Sequence, residues 1–167
     1  MAAATWMRAT AMALAVMTAP MAVGAPSVGA SAPAFELNAL DGKQLGLNEL
    51  HGQVVLINFW ASWCGPCRTE MPRLDALYRK YRAAGVTLVG INVEPDSADA
   101  LNYLKSTPVT FPILFDSDSK VSKLYEVAGM PSTVILDRKG MVRYIHRGYK
   151  PGEEDAYLDQ IRALMRE

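Results

Sequence analysis

The chain predicts an α/β domain: a mixed central sheet flanked by helices on both faces and entered through an N-terminal β-hairpin. Three observations carry this prediction. The runs Val54-Val55-Leu56-Ile57-Asn58-Phe59 and Thr87-Leu88-Val89-Gly90-Ile91-Asn92-Val93 are nearly continuous in apolar residues, as strands covered on both faces are. Helical apolar spacing follows each run, which is the alternation of βαβ units. Two further apolar runs, residues 133–137 and 141–145, flank Arg138-Lys139-Gly140 and read as a closing hairpin.

Residues 1–30 read as an export signal. One charge, Arg8, precedes an apolar stretch over residues 9–19, no acidic residue occurs, and small residues follow around Ala25 and Ala30. Cleavage is expected after Ala30, because Pro26 directly follows the other candidate point. An uncleaved N-terminal anchor is the alternative, but the stretch is interrupted by Pro20 and short of the roughly 20 apolar residues a bilayer requires. No cysteine follows it to carry a lipid. Residues 31–167 then form one domain, for which a chain of 167 residues, half of them hydrophobic, has sufficient core.

Within the domain, Ala34-Phe35-Glu36-Leu37 and Lys43-Gln44-Leu45 flank the turn signal Leu40-Asp41-Gly42 and give the first hairpin. The first buried run follows. Met71, Leu74, Tyr78 and Tyr81 then recur at helical spacing with Gly85 as the stop, and Pro72 inside the pattern predicts a kink. After the second run, Asp96 or Ser97 can cap a helix carrying Leu101 and Leu104. Residues 111–115 read as a strand, and Asp118 or Ser119 as the cap of a short helix through Val121, Leu124 and Tyr125. The last helix spans about residues 153–166, with acids in its first turn and Arg162 and Arg166 near its end, both favourable to the macrodipole.

The chain has two cysteines, both in Trp63-Cys64-Gly65-Pro66-Cys67-Arg68, between the first buried run and the helix after it. Thiols so spaced can close a small disulfide or open to a thiolate beside a partner thiol. Unpaired N–H groups and the positive end of the dipole stabilise an anion at a helix start, so Cys64 is expected to have a lowered pKa and to be the nucleophile. Cys67, one turn on, can then expel a bound substrate as the resolving cysteine. A purely structural role is disfavoured, since so small a loop constrains the unfolded chain little.

With this signature the chain resembles the thioredoxin-fold family, and more closely its exported branch of TlpA-, ResA- and CcmG-type thiol-disulfide oxidoreductases, over roughly residues 32–166. The resemblance implies a thioredoxin fold with the N-terminal β-hairpin as an addition and a central helix-strand insertion over residues 93–115. It also implies a cis-proline loop at Met130-Pro131-Ser132-Thr133 facing the disulfide. There the Met130 backbone would pair with an extended substrate segment, and Pro131, lacking an N–H, would keep that end open. ResA-like proteins have a glutamate where Glu70 stands, and a partly desolvated carboxyl there would have a raised pKa and exchange protons with the thiols. Asn58 occupies the site where cytosolic thioredoxins have a buried aspartate; an amide cannot titrate, which shifts that work to Glu70. Trp63 is expected to cover the disulfide and contact substrate, Trp60 to lie in the core, and Gly65 and Pro66 to tune the loop between the sulfurs.

The implied activity is reduction of protein disulfides in the periplasm or another extracytoplasmic space, by the Cys64–Cys67 pair with no dissociable cofactor. Protein thiols and disulfides are the expected partners, a membrane thiol donor would restore the dithiol, cytochrome c maturation is one destination, and a monomer is expected. Nucleic acid is not expected as a partner, because 17 basic and 17 acidic residues leave zero net charge with no basic block. A metal site is not expected either: zinc needs about four ligands, and the only histidines, His51 and His146, lack ligand spacing to the cysteines. Haem attachment would need histidine where Arg68 stands. Two rival functions use the same thiols. A thiol peroxidase would share the fold, but the chain lacks Pro-x-x-x-Thr-x-x-Cys, and a metal-binding thiol chaperone finds only four scattered methionines after the leader.

Overall fold

A computed structural model describes residues 25–167; of the expected leader over residues 1–30, residues 1–24 lie outside the described residues. The strands are β1 (Glu36–Ala39), β2 (Gln44–Gly46), β3 (Val54–Trp60), β4 (Val86–Asn92), β5 (Ile113–Phe115), β6 (Ser132–Leu136) and β7 (Val142–Arg147). The helices are α1 (Gly65–Tyr81), α2 (Ala98–Ser106), α3 (Lys120–Leu124) and α4 (Glu153–Met165). The strands form one sheet in the order β2-β1-β5-β4-β3-β6-β7. β3 runs parallel to β4 and antiparallel to β6, so the strand that leads to the cysteines is central and the sheet is mixed. The hairpin β1–β2 joins through β5, antiparallel to β1 and parallel to β4, so the inserted α2–β5 unit links the hairpin to the rest of the sheet.

Every residue of β3 is buried, and its side chains alternate between two cores. Val54, Leu56 and Trp60 pack with Met71 and Leu74 of α1, Tyr103 of α2 and Tyr157 and Ile161 of α4. Val55, Ile57 and Phe59 pack on the other face with Leu47, Leu50, Val121 and Tyr125. Helices therefore cover both faces, as the unalternating runs required. Residues 29–32, around the expected cleavage point, bond to the start of β7: Gly29 N donates to Val142 O at 2.8 Å, Val142 N to Ala30 O at 2.8 Å and Ala32 N to Gly140 O at 2.9 Å.

α1 runs as one helix through Pro72. A proline N–H is missing there, which frees the Arg68 carbonyl one turn back. Tyr103 Oη donates to that carbonyl at 3.4 Å, while the Arg68 guanidinium lies 5.4 Å from the Tyr103 ring centre. Buried Asp75 fastens the same helix to the loop before β5, accepting from Thr110 N at 2.6 Å and Thr110 Oγ1 at 2.7 Å. β5 begins at Ile113 rather than Phe111, although Gly90 N donates to Pro112 O at 2.9 Å; Pro112 has no N–H to give to the ladder.

Of the two expected caps, the first falls on one of its two candidates and the second falls elsewhere. Asp96 Oδ1, not Ser97, accepts from Ala98 N at 2.9 Å. Neither Asp118 nor Ser119 is the main cap of α3: buried Asp116 accepts from Val121 N at 3.0 Å and Ser122 N at 2.7 Å, and Ser119 adopts a left-handed φ of 56° with no side-chain cap bond. A carboxylate with two oxygens satisfies two orphan donors at once, which a serine cannot.

Gly90 on β4 sits where Ile113, Phe111 and Trp60 converge. A Cβ there would lie 2.9 Å from Ile113 Cδ1 and Phe111 Cε2 and 3.3 Å from Trp60 Nε1. Two of these are parts of buried rings with little room to retreat. Gly90→Ala is expected to lower stability by about 1–3 kcal/mol through overpacking, measured by denaturant unfolding at unchanged m.

Candidate active site

The β3–α1 junction places the cysteines. Cys64 is the N-cap of α1, with Gly65 and Pro66 opening the first turn and Pro66 at a position that needs no N–H. Cys64 and Cys67 form a disulfide with a Cα–Cα separation of 5.3 Å. Cys67 N donates to Cys64 Sγ at 3.2 Å, so the first sulfur occupies the place of a capping acceptor. Cys64 retains 5% exposure and Cys67 none. Of the two residues, only Cys64 keeps any surface toward an attacking partner.

The loop before the pair is held by Glu94, a residue the sequence did not single out. Its carboxylate accepts from Ser62 N at 2.8 Å, Ser62 Oγ at 2.7 Å and Asn92 Nδ2 at 2.7 Å. A charged residue directly beyond an apolar strand was the available signal.

Met130-Pro131 is a cis peptide bond in the loop before β6, as the resemblance implied. Pro131 is buried and its carbonyl accepts from Gly148 N at 2.7 Å, while Ser132 Oγ donates to Gly129 O at 2.7 Å. Met130 is half-buried against the core cluster that contains both cysteines. Trp63 is 69% exposed. With Val93, Ser119, Ser122, Val127 and Met130 it lines an open groove of about 460 Å³. Trp60 is wholly buried.

Glu70 is fully buried, so it is not a solvated helix carboxylate. Its Oε1 accepts from Tyr157 Oη at 2.9 Å and its Oε2 from Asn58 Nδ2 at 2.9 Å; Asn58 Nδ2 also donates to Thr133 Oγ1 at 2.9 Å. Burial drives its pKa up to about 7, opposed by the bonds from Tyr157 and Asn58 and assisted by Glu153 and Glu154. Glu70 lies three residues after Cys67, on the same face of α1. Tyr157 and Glu94 are thus the site residues that sequence reasoning missed. Among the described residues no group of three or more His, Cys, Asp or Glu side chains could hold a metal, and no helix is long and apolar enough to cross a membrane.

A strand that delivers a disulfide to a helix N-terminus, opposite a cis-proline loop, is the framework of a thioredoxin-fold redox protein. Residues 28–145 match the AhpC/TSA family, and the chain belongs to it. The chain is 36% identical to "Thiol-disulfide oxidoreductase ResA" of Bacillus subtilis over 70% of its own length and 65% of that protein, and 33% identical to the Bacillus cereus protein of the same name over 80% and 78%. Among solved structures it is similar, at a TM-score of 0.81 and 36% identity, to a Chlorobium tepidum protein assigned as the thiol:disulfide interchange protein DsbE, with 84% of this chain and 99% of that one covered. The chain is therefore a thiol-disulfide oxidoreductase of the ResA and DsbE type, with its Cys-x-x-Cys pair at residues 64 and 67.

The buried carboxyl has a measurable signature. Between the ordinary value of 4.5 and about 7, an unfolded chain ionises Glu70 while the folded one keeps it protonated. The unfolded state then holds fewer protons, so stability falls as pH rises through this window, by an amount of order 3 kcal/mol. Urea unfolding of the oxidised protein across pH 4.5–7.5 is expected to show that decline, and Glu70→Gln to flatten it.

Proposed function

We propose that the protein is an extracytoplasmic reductase of protein disulfides, acting through Cys64 as nucleophile, Cys67 as resolving cysteine and Glu70 as proton acceptor and donor. The observation that carries this reading is the pairing of a cysteine disulfide at a helix N-terminus, of which only Cys64 keeps any exposure, with a wholly buried carboxyl three residues beyond the second cysteine. The cycle starts from the dithiol. The Cys64 thiolate, favoured by the helix N-terminus, attacks one sulfur of a substrate disulfide; a mixed disulfide forms and the first substrate thiolate leaves. Cys67 gives its proton to Glu70 and attacks Cys64 Sγ, which forms the Cys64–Cys67 disulfide and releases the second substrate thiolate. Two electrons have passed from the dithiol to the substrate. A thiol donor at the membrane then reduces the disulfide again, and no dissociable cofactor is needed.

The substrate segment is proposed to lie extended beside Met130 and Pro131, its backbone pairing with Met130 while Trp63 and the groove next to Met130 take a side chain. Gly65 supports this use: a Cβ there would meet nothing within 4 Å, so the turn between the sulfurs leaves open space for a partner. Pro66 fixes the start of α1. Apocytochrome c, whose haem-attachment cysteines must be reduced before ligation, is the substrate class the reading favours. The signal over residues 1–30 would direct the domain to the periplasm or its equivalent, where it would act as a monomer.

A trapping experiment tests this function. Cys67→Ser, expressed with its own leader, cannot resolve the mixed disulfide, so a substrate should remain linked to Cys64. Recovery of apocytochrome c or of its thiol carriers supports the assignment to cytochrome maturation, and other exported cysteine proteins would indicate a general reductase. Absence of any adduct, with rapid peroxide consumption or tight copper binding by the wild type, would replace the reductase with a thiol peroxidase or a metal chaperone. Cys64→Ser is expected to lose most of its reductase activity in a model-disulfide assay, since the remaining thiol, Cys67, is fully buried.

A further inference from the structure

Tyr157 has no part in the cycle above, yet its hydroxyl serves one of the two Glu70 oxygens at 2.9 Å, and the Asn58 amide serves the other at 2.9 Å. The two oxygens are therefore not equivalent. An amide N–H only donates, and Asn58 Nδ2 is fixed between Glu70 Oε2 and Thr133 Oγ1, which reserves Oε2 as an acceptor. Asn58 Oδ1 is buried without a partner. Whenever Glu70 is ionised, turning the amide over would bring that oxygen against the carboxylate, so the ionised form holds the amide in this sense although Oδ1 stays unsatisfied. A phenol behaves differently, because its oxygen can donate to a carboxylate or accept from a carboxylic acid. Burial first, and then the neighbouring Glu70, hold the Tyr157 pKa far above its ordinary value, so it remains a hydroxyl throughout the working range. A proton arriving on Oε1 needs only a rotation of this hydroxyl, whereas one on Oε2 would set donor against donor.

We propose that Tyr157 is a positioning residue for the proton step, fixing Oε1 as the oxygen on which Glu70 takes up and releases its proton. The proposal rests on the role of Glu70 in the reductase cycle. Glu70 is bonded directly by Asn58 of β3 and Tyr157 of α4, reached through Asn58 by Thr133 of β6, and acted on at longer range by Glu153 and Glu154 of α4 and Tyr149 from the segment before α4, with Cys67 three residues earlier on α1. His146 of β7 packs edge-on to Tyr157 at 4.6 Å, its Nε2 bonded to Gln160 Oε1, and Arg73 lies beside Glu154. None of these replaces the Tyr157 hydroxyl at Oε1.

Tyr157→Phe keeps the ring in its buried place and removes only the oxygen. Two readouts are compared: the carboxyl carbon-13 resonance of Glu70 in the oxidised protein, and the pH profile of disulfide reduction, each in wild type, Tyr157→Phe, Glu70→Gln and the double variant. Without its donor on Oε1 the carboxylate is less stable, so both midpoints should move upward by roughly one to two pH units in Tyr157→Phe. In the Glu70→Gln background the Tyr157 change should leave the pH profile where it was. An unmoved Glu70 resonance in Tyr157→Phe overturns the proposal, and so does a shift of the profile that persists without Glu70. If wild type and Glu70→Gln share one pH profile while the Glu70 resonance still follows Tyr157, the carboxyl is not in the cycle, and the proton-handling reading falls together with the positioning role built on it.

Discussion

No side chain of β3 reaches water, and that constraint sets the terms for the whole site. Six of its residues, from Val54 to Trp60, are apolar and divide between the two cores; the seventh, Asn58, must find polar partners inside. It finds them on its own face of the sheet, in Glu70 from α1 and Thr133 from β6. Each of these would be costly to bury alone, an amide or hydroxyl by a few kcal/mol and a charged carboxylate by far more. Together with Tyr157 they form a polar inclusion in an apolar layer, and the three elements and α4 are held in register by it. A network of this kind strengthens in a low-dielectric setting when its members are paired, which ties the position of Glu70 to the packing of α1 and α4 against the sheet.

The insertion contributes to the same end from the far side of α1. Pro72 frees a carbonyl within a turn and a half of Cys64, a weakness close to the chemistry. Tyr103, supplied by α2, donates to that carbonyl and accepts the Arg68 guanidinium on its ring, and Asp75 binds Thr110 at the entry to β5. The inserted helix and strand thus act as a clamp on the cysteine-bearing helix as well as an extension of the sheet. Glu94 does the same for the loop on the strand side of Cys64, through two hydrogen bonds from Ser62, and is itself held by Asn92 at the end of β4. The first sulfur is held between two braced segments, an arrangement suited to a group that must meet a partner in one geometry.

What could be read from the chain was whatever is written locally. The runs of β3 and β4, the Gly42 and Gly140 turns, the helical spacing on α1 and the Cys64–Cys67 spacing each depend on residues near one another, and each was found in place. The cis bond before Pro131 came from resemblance alone, since composition says nothing of it. Tertiary partners were hidden. Asp116 outcompetes the nearer Asp118 and Ser119 because the fold brings it under the first turn of α3 with both oxygens free. Tyr157 lies 87 residues from Glu70, on a helix whose sequence was read only for its bounds and the charges at its ends. Its hydroxyl matters only because Oε1 of a buried carboxylate happens to need a donor.

Under the proposed function, that carboxyl would also give the redox step a direction in proton terms. In the proposed cycle the dithiol carries negative charge on sulfur for part of its life, and a thiolate buried on the same face of α1 repels a Glu70 carboxylate. The repulsion raises a pKa that burial has already placed at about 7, so formation of the thiolate and uptake of a proton by Glu70 favour each other. Closure of the disulfide removes the sulfur charge, the carboxyl loses part of its reason to be neutral, and its proton becomes available to a departing substrate thiolate. A surface carboxylate would not behave in this way, since water screens the sulfur charge and leaves its pKa near the ordinary value. In the proposed cycle, burial of Glu70 three residues beyond Cys67, at the energetic expense of a neutral acid in the core at moderate pH, would couple proton movement to sulfur exchange.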